Sequence, residues 1–124
     1  DVFDQSERQR LNFGHTIGHA IEQCSDFKIA HGHAVAIGMV MITRASVTQK
    51  LIKPAALQSL IGLLKLNGLP YSCNYSIDAL YKAALNDKKR RGDSINLVVP
   101  TDIGVTKIMP IRTEHLYQWL QMGM

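Results

Sequence analysis

The feature that most constrains the fold is a pair of apolar, glycine-rich segments that carry four of the chain's five histidines. The first segment reads LNFGHTIGHAIE over residues 11–22, and the second reads HGHAVAIGMV over residues 31–40. The pattern of residues in both segments predicts helices. A glycine inside a helix costs about 1 kcal/mol relative to alanine. Helices that keep several glycines usually need them because another backbone or a ligand comes close. The second segment is almost wholly apolar from Ala34 to Ile42, which predicts a buried helix.

The rest of the chain continues the helical pattern and then changes to a strand pattern. The segments INLVVP and VTKIMPI flank a turn and are typical of two short antiparallel strands. We predict helices at residues 11–24, from His31 onward, from Pro54 to a stop at Gly68, after an N-cap at Ser76, and after a cap at Thr113. The predicted fold class is therefore mainly α, a helical domain with one small β-hairpin.

Length and composition limit the kind of protein that this chain can form. At 124 residues, 46% hydrophobic and 19% charged, it is one globular domain spanning residues 1–124 and is not intrinsically disordered. Its longest apolar run is shorter than the roughly 20 residues of a membrane span, so we expect no membrane partner. The cysteines, Cys24 and Cys73, lie outside any CxxC pattern and fit free thiols in a reducing cytoplasm. Because the chain begins with Asp1, we expect a fragment of a longer protein.

A basic segment, KKRRG at residues 88–92, accompanies a net charge of +4. It is either a solvated turn, which we favour for Arg90 and Arg91, or a clamp for a phosphate or carboxylate. Adjacent cations repel one another, so a clamp would become ordered when an anion sits among them. Aromatic residues are not interleaved with these cations, which argues against nucleic acid as a partner.

The histidines suggest a metal site. On a helix, Asn12, His15 and His19 project from one face, and Glu22 continues that stripe one turn later. His31 returns on the next segment and can face them. Two neutral imidazoles from different elements are a natural start for a zinc site. The spacing is not HExxH, so the general base of a metalloprotease is missing, and ordinary hydrogen bonding is the alternative interpretation.

Taken together, these motifs resemble a known family. RxxxNFGHTIGHAIE, then HGxAVAIGM, then DKK before the hairpin resemble the C-terminal domain of the 3-dehydroquinate synthases over essentially the whole chain. The resemblance implies that an absent N-terminal domain binds NAD, and that the whole enzyme is a cytoplasmic homodimer. It also implies conversion of 3-deoxy-D-arabino-heptulosonate 7-phosphate, a sugar phosphate, to 3-dehydroquinate and phosphate. That lyase reaction belongs to the shikimate pathway of chorismate and aromatic amino acid biosynthesis.

The same resemblance implies roles for particular residues. His15 and His31 would be two ligands of Zn²⁺ or Co²⁺, and a glutamate of the N-terminal domain would be the third. The residues that would bind substrate are Arg8, Asn12, His19 and one lysine of the pair Lys88 and Lys89; the first three would also be catalytic. The metal would polarise a hydroxyl while NAD removes hydride, and phosphate would then be eliminated. The 124-residue chain alone should be inactive, since it lacks the NAD site and one metal ligand.

One residue departs from the family pattern. The family usually has a glutamate where this chain has His33, which we expect to orient the metal ligand His31 without binding the metal itself. Three alternatives stay open. Other sugar phosphate cyclases, acting on sedoheptulose 7-phosphate or glucose 6-phosphate, share the metal motif. Metal-dependent polyol dehydrogenases share the two-domain plan but do not match both motifs. A non-catalytic helical binding module would have no need of His15 and His31, so metal content would separate it from an enzyme.

Overall fold

The computed structural model describes residues 13–88, 94–102 and 104–124, and it confirms the mainly α fold class with one hairpin. In chain order the elements are α1 (His15–Cys24), α2 (His31–Thr48), α3 (Pro54–Leu66), α4 (Ile77–Lys88), β1 (Ser94–Asp102), β2 (Val105–Arg112), a 3₁₀ turn (Thr113–His115) and α5 (Leu116–Gly123).

Helix α2 is the centre of the domain, as its apolar sequence predicts. It contacts α1, α3, α5 and β1, and its residues Ala34, Val40 and Ala45 are fully buried. The main core surrounds it with Ile17 and Ile21 of α1, together with side chains from α4, β1 and α5. Among the described residues, no helix combines the length and the apolarity that a membrane crossing needs.

The two helices that follow α2 begin where the sequence indicates, and α3 also ends there, whereas α4 continues to Lys88, into the predicted polar loop. Pro54 is at the start of α3, and the helix is closed by left-handed backbone at Gly68 (φ 67°), where the Leu69 N–H donates to the Leu64 carbonyl at 2.9 Å. The Ser76 hydroxyl accepts a hydrogen bond from the Ala79 N–H at 3.1 Å, which confirms the predicted N-cap of α4.

The hairpin covers one side of the core through its first strand. Strands β1 and β2 pair antiparallel, with Ile95 opposite Ile111 and Leu97 opposite Met109. Ile95, Leu97 and Val99 face the core at alternate positions of β1, and Val98 and Pro100 on the other face are buried as well. The second strand is more exposed, so the hairpin acts as a cover for the helices.

Two predicted helix starts are wrong. The helix predicted over residues 11–24 begins at His15 in the described part of the chain, because Phe13 and Gly14 form a turn and Gly14 has a left-handed φ of 80°. Residues 11 and 12 lie outside the described residues. The last helix is not capped by Thr113. Strand β2 leads directly into the 3₁₀ turn, and the Thr113 hydroxyl is buried without a hydrogen-bond partner among the described residues. Leu116, Trp119 and Leu120 of α5 nevertheless point inward, as predicted.

Candidate metal and substrate site

Helices α1 and α2 lie antiparallel and unusually close to each other. A Cβ added at Gly38 would collide with the Gly14 carbonyl oxygen and would lie 2.8 Å from the Gly18 nitrogen. A Cβ added at Gly18 would lie 3.0 Å from the Ala34 carbonyl oxygen. These glycines are therefore explained by close approach of another backbone, one of the two reasons that the sequence suggests. The close packing fixes the start of α2 against the end of α1.

A tight connection returns the chain from α1 to α2. Asp26 and Phe27 have left-handed backbone, with φ of 57° and 60°, although neither is glycine. The Ser25 hydroxyl donates to the Glu22 carbonyl at 2.9 Å and accepts from the Ile29 N–H at 3.2 Å. Left-handed non-glycine residues cost free energy and persist only where the surroundings hold them. This connection places His31 over the last turns of α1.

The structure brings His15 and His31 together, as the metal hypothesis requires. Their ring centroids are 5.3 Å apart, and the ring planes are inclined by 57°. The Nδ1 atom of His15 lies 3.4 Å from the Phe13 carbonyl oxygen, and that of His31 lies 3.1 Å from Glu22 Oε1. Both partners are acceptors, so they favour the neutral tautomer that donates from Nδ1 and leaves the Nε2 lone pair available to a ligand. Histidine ligands of metals nearly always have their second nitrogen engaged in this way, so the pair fits Zn²⁺ or Co²⁺.

Glu22 is the buried member of the cluster. Its side chain is only 12% exposed, whereas those of His31 and His19 are 62% and 46% exposed. The oxygen that faces His31 also lies 3.7 Å from the Nδ1 atom of His19. A buried carboxylate is costly unless it is paired, and these two rings are its described partners. The sequence placed Glu22 on the stripe of His19 but did not reveal its contact with His31.

His19 lies at the exposed rim of the cluster beside an aromatic side chain that sequence reasoning missed. The Phe27 ring is 6.4 Å from the His19 ring at an angle of 62°, and Phe27 is 61% exposed. An exposed phenylalanine held in left-handed backbone carries no signal in the sequence, because its position depends on the turn. His19 can therefore face a ligand that approaches from outside the domain.

Several candidates cannot be placed. Arg8, Asn12 and Lys89 lie outside the described residues, as does the side chain of Lys88, the last residue of α4. His33 is exposed in the first turn of α2, and the described hydrogen-bond partner of the His31 ring is the Glu22 carboxylate, which accepts from Nδ1. Within the described ranges, no three His, Cys, Asp or Glu residues form a group that could hold a metal ion. This part of the chain thus offers a pair of imidazoles and not a complete set of three ligands.

The cysteines Cys24 and Cys73 are free thiols, as expected. Burial raises the pKa of the Cys24 thiol, and the nearby Cys73 raises it further. Burial also raises the pKa of the Cys73 thiol, which a hydrogen bond to the Tyr75 backbone partly offsets. Both groups therefore remain protonated at neutral pH, which makes them poor nucleophiles.

A separate apolar cavity of about 590 Å³ lies between α2, α3 and the hairpin turn. Met39, Leu60 and Val105 are among its lining residues, and no histidine lines it. This cavity is therefore not the place where the histidines converge.

Comparison with known proteins identifies the relatives of this chain. Residues 1–90 match the family model described as 3-dehydroquinate synthase C-terminal. The 3-dehydroquinate synthase of Streptococcus pneumoniae strain ATCC 700669 is 39% identical over 122 residues, which is 97% of this chain and 34% of the relative. The enzyme of strain Hungary19A-6 is similar to the same extent. The chain thus spans about a third of the length of the curated relatives that it matches.

Solved structures share the fold at lower sequence identity. A 2-deoxy-scyllo-inosose synthase complexed with carbaglucose-6-phosphate, NAD⁺ and Co²⁺ superposes with a TM-score of 0.72 at 23% identity, covering 91% of this chain and 33% of that one. The 2-epi-5-epi-valiolone synthase of Streptomyces hygroscopicus with NAD⁺ and Zn²⁺ bound gives a TM-score of 0.74 at 21% identity, covering 90% of this chain and 32% of that one.

Proposed function

The chain belongs to the 3-dehydroquinate synthase family, in its C-terminal domain, and we propose that it is the metal- and substrate-binding part of such an enzyme. The proposed reaction converts 3-deoxy-D-arabino-heptulosonate 7-phosphate to 3-dehydroquinate and phosphate, a step of aromatic amino acid biosynthesis. The observation that carries this proposal is the pair His15 and His31, whose Nδ1 atoms are both engaged and whose Nε2 atoms are left for a metal.

The proposed cofactors are NAD and Zn²⁺ or Co²⁺. Structural relatives are described with NAD⁺ together with Co²⁺ or Zn²⁺, which supports this choice. We assign NAD mainly to an N-terminal domain, because the matched relatives are about three times as long as this chain. When bound, the metal supplies a Lewis acid at the substrate hydroxyl and NAD supplies a hydride acceptor.

In this proposal the residues of the chain mainly bind and orient. His15 and His31 hold the metal through Nε2, and a glutamate of the N-terminal domain completes the ligand set. His19, at the exposed rim, contacts the substrate close to its phosphate and takes part in proton transfer. Arg8, Asn12 and one of the lysines Lys88 and Lys89 hold the remaining anionic and hydroxyl groups. Fixing an anionic substrate in this way lowers the entropic part of the barrier.

The whole enzyme is proposed to be a cytoplasmic homodimer in which this domain and its own N-terminal domain enclose the substrate. The two free thiols, Cys24 and Cys73, are consistent with a reducing compartment. The isolated 124-residue chain is proposed to be inactive, because the hydride acceptor and one ligand lie elsewhere.

The test is phosphate release by the full-length protein supplied with the heptulosonate phosphate, NAD and zinc. Both His15→Ala and His31→Ala should abolish turnover and stoichiometric zinc, whereas His115→Ala, at an exposed histidine of the 3₁₀ turn, should retain both. Zinc retained at one equivalent in both site variants would remove the two histidines from the ligand set. Turnover of sedoheptulose 7-phosphate or glucose 6-phosphate in place of the heptulosonate would identify a different sugar phosphate cyclase. A metal-free full-length protein without turnover would favour a binding module.

A further inference from the structure

We infer that Glu22 is a positioning residue for the metal site: its carboxylate fixes the tautomer and orientation of His31 and thereby sets the affinity for the metal. This inference rests on the proposed function, since it presupposes that His31 is a ligand. Glu22 itself touches neither metal nor substrate in this assignment and acts through the imidazole.

The hydrogen bond between the two side chains defines the direction of the effect. Glu22 Oε1 lies 3.1 Å from His31 Nδ1. A carboxylate only accepts hydrogen bonds, so the proton must reside on Nδ1, and Nε2 carries the free lone pair. A carboxylate on the far nitrogen also makes the ring a more basic ligand. Without this partner, His31 would divide between both tautomers and would rotate freely, because its side chain is 62% exposed.

The position of Glu22 is itself firmly held. Its carbonyl oxygen accepts from the Phe27 N–H at 2.8 Å and from the Ser25 hydroxyl at 2.9 Å. The backbone of Glu22 is therefore anchored, and its carboxylate, in a side chain only 12% exposed, lies buried beside the exposed His31 ring. A hydrogen bond to this buried carboxylate gives the exposed His31 ring a defined orientation. A bond to another exposed side chain would not.

A purely structural role makes different predictions. If Glu22 only joins α1 to α2, then removing its charge while keeping its shape should leave the metal site unchanged. If it positions His31, the charge and the hydrogen bond should each contribute to metal affinity. Glu22→Gln keeps an oxygen that can accept from Nδ1 but removes the charge, whereas Glu22→Ala removes both.

The experiment uses the full-length protein with Co²⁺ as the probe. Cobalt affinity is measured by its visible absorbance in the parent, Glu22→Gln, Glu22→Ala and the control Asp26→Asn. Asp26 is an exposed acid four residues away, and asparagine tolerates its left-handed backbone. We expect cobalt binding to weaken about 10–100-fold in Glu22→Ala, less in Glu22→Gln, and not at all in Asp26→Asn.

A second measurement reports the tautomer directly and needs no metal. In ¹H–¹⁵N spectra of the metal-free protein, His31 should be protonated on Nδ1 in the parent and in Glu22→Gln, and should be a mixture of tautomers in Glu22→Ala. The parental tautomer and parental cobalt affinity in Glu22→Ala would overturn the inference. If Glu22→Ala does not fold, parental cobalt affinity in Glu22→Gln would overturn it. A parent that binds no cobalt would instead refute the proposed function, so the two failures are distinguishable.

Discussion

Replacing Gly38 by alanine should force α1 and α2 apart and loosen the histidine pair. The added Cβ would collide with the Gly14 carbonyl oxygen and would lie 2.8 Å from the Gly18 nitrogen. To move that nitrogen from 2.8 Å to 3.4 Å, where ordinary contact begins, the backbones must separate by at least about 0.6 Å, and the Gly14 carbonyl oxygen must move farther. Both obstacles are backbone atoms, so no side-chain rotation can relieve the clash.

The size of the effect follows from two opposing contributions. Overpacking costs up to about 3 kcal/mol, and we take the upper end because backbone must move. Alanine in a helix returns about 1 kcal/mol relative to glycine. The net cost is about 2 kcal/mol for opening this helix pair. Gly62 in α3 is the matched control, since a Cβ there meets no atom within 4 Å and alanine should stabilise that helix by about 1 kcal/mol.

Native-state amide hydrogen exchange on the full-length protein measures these local openings. We expect amides of α1 and α2 to exchange about 30-fold faster in Gly38→Ala, which corresponds to 2 kcal/mol. In Gly62→Ala, the amides of α3 should exchange about fivefold more slowly. The separation of about 0.6 Å also exceeds the roughly 0.5 Å tolerance of a metal site, so Gly38→Ala should bind zinc more weakly. Unchanged exchange in α1 and α2 of Gly38→Ala would refute the close-packing argument.

Three further results are expected. In the full-length protein, His33→Glu should retain zinc, with its affinity changed less than about tenfold, because Glu22 already bonds the His31 ring. Equilibrium dialysis measures the bound zinc, and its loss would contradict this prediction. One of Lys88→Ala and Lys89→Ala should raise KM for the heptulosonate phosphate, and unchanged kinetics in both would remove the anion clamp. Cys24 and Cys73 should be alkylated by iodoacetamide more slowly than free cysteine at pH 8. The alkylation rates should rise only above pH 9, because burial raises the pKa of each thiol and so lowers the fraction of reactive thiolate. Rapid alkylation at pH 7 would contradict the raised pKa values.

The elements that the sequence predicts correctly are those determined by local pattern. The apolar stretch of α2 is buried because it has no polar face, and the Ser76 hydroxyl caps α4 because the next turn offers it an N–H. The segment INLVVP likewise predicts the first strand of the hairpin, which forms as β1.

The features that the sequence does not predict depend on contacts between distant elements. Helix α1 starts later than predicted, at His15, because the preceding Gly14 has left-handed backbone. A Cβ at Gly14 would collide with Met39 of α2, a contact that local propensity does not register. The hydrogen bond between Glu22 and His31 forms across a connection in which Phe27 has left-handed backbone. A phenylalanine usually has negative φ, so its sequence does not predict this turn. The pairing of His15 with His31 is predictable as a motif, but the acceptors on their Nδ1 atoms are not.

The central claim is that His15 and His31 bind one metal ion through Nε2. The most direct measurement is anomalous diffraction at the zinc edge from crystals of the full-length protein. We expect a single strong peak at about 2.0–2.1 Å from the Nε2 atoms of both histidines, with Glu22 still bonded to His31 Nδ1. A peak that lies on Nδ1 of either ring, or away from this pair altogether, would contradict the claim.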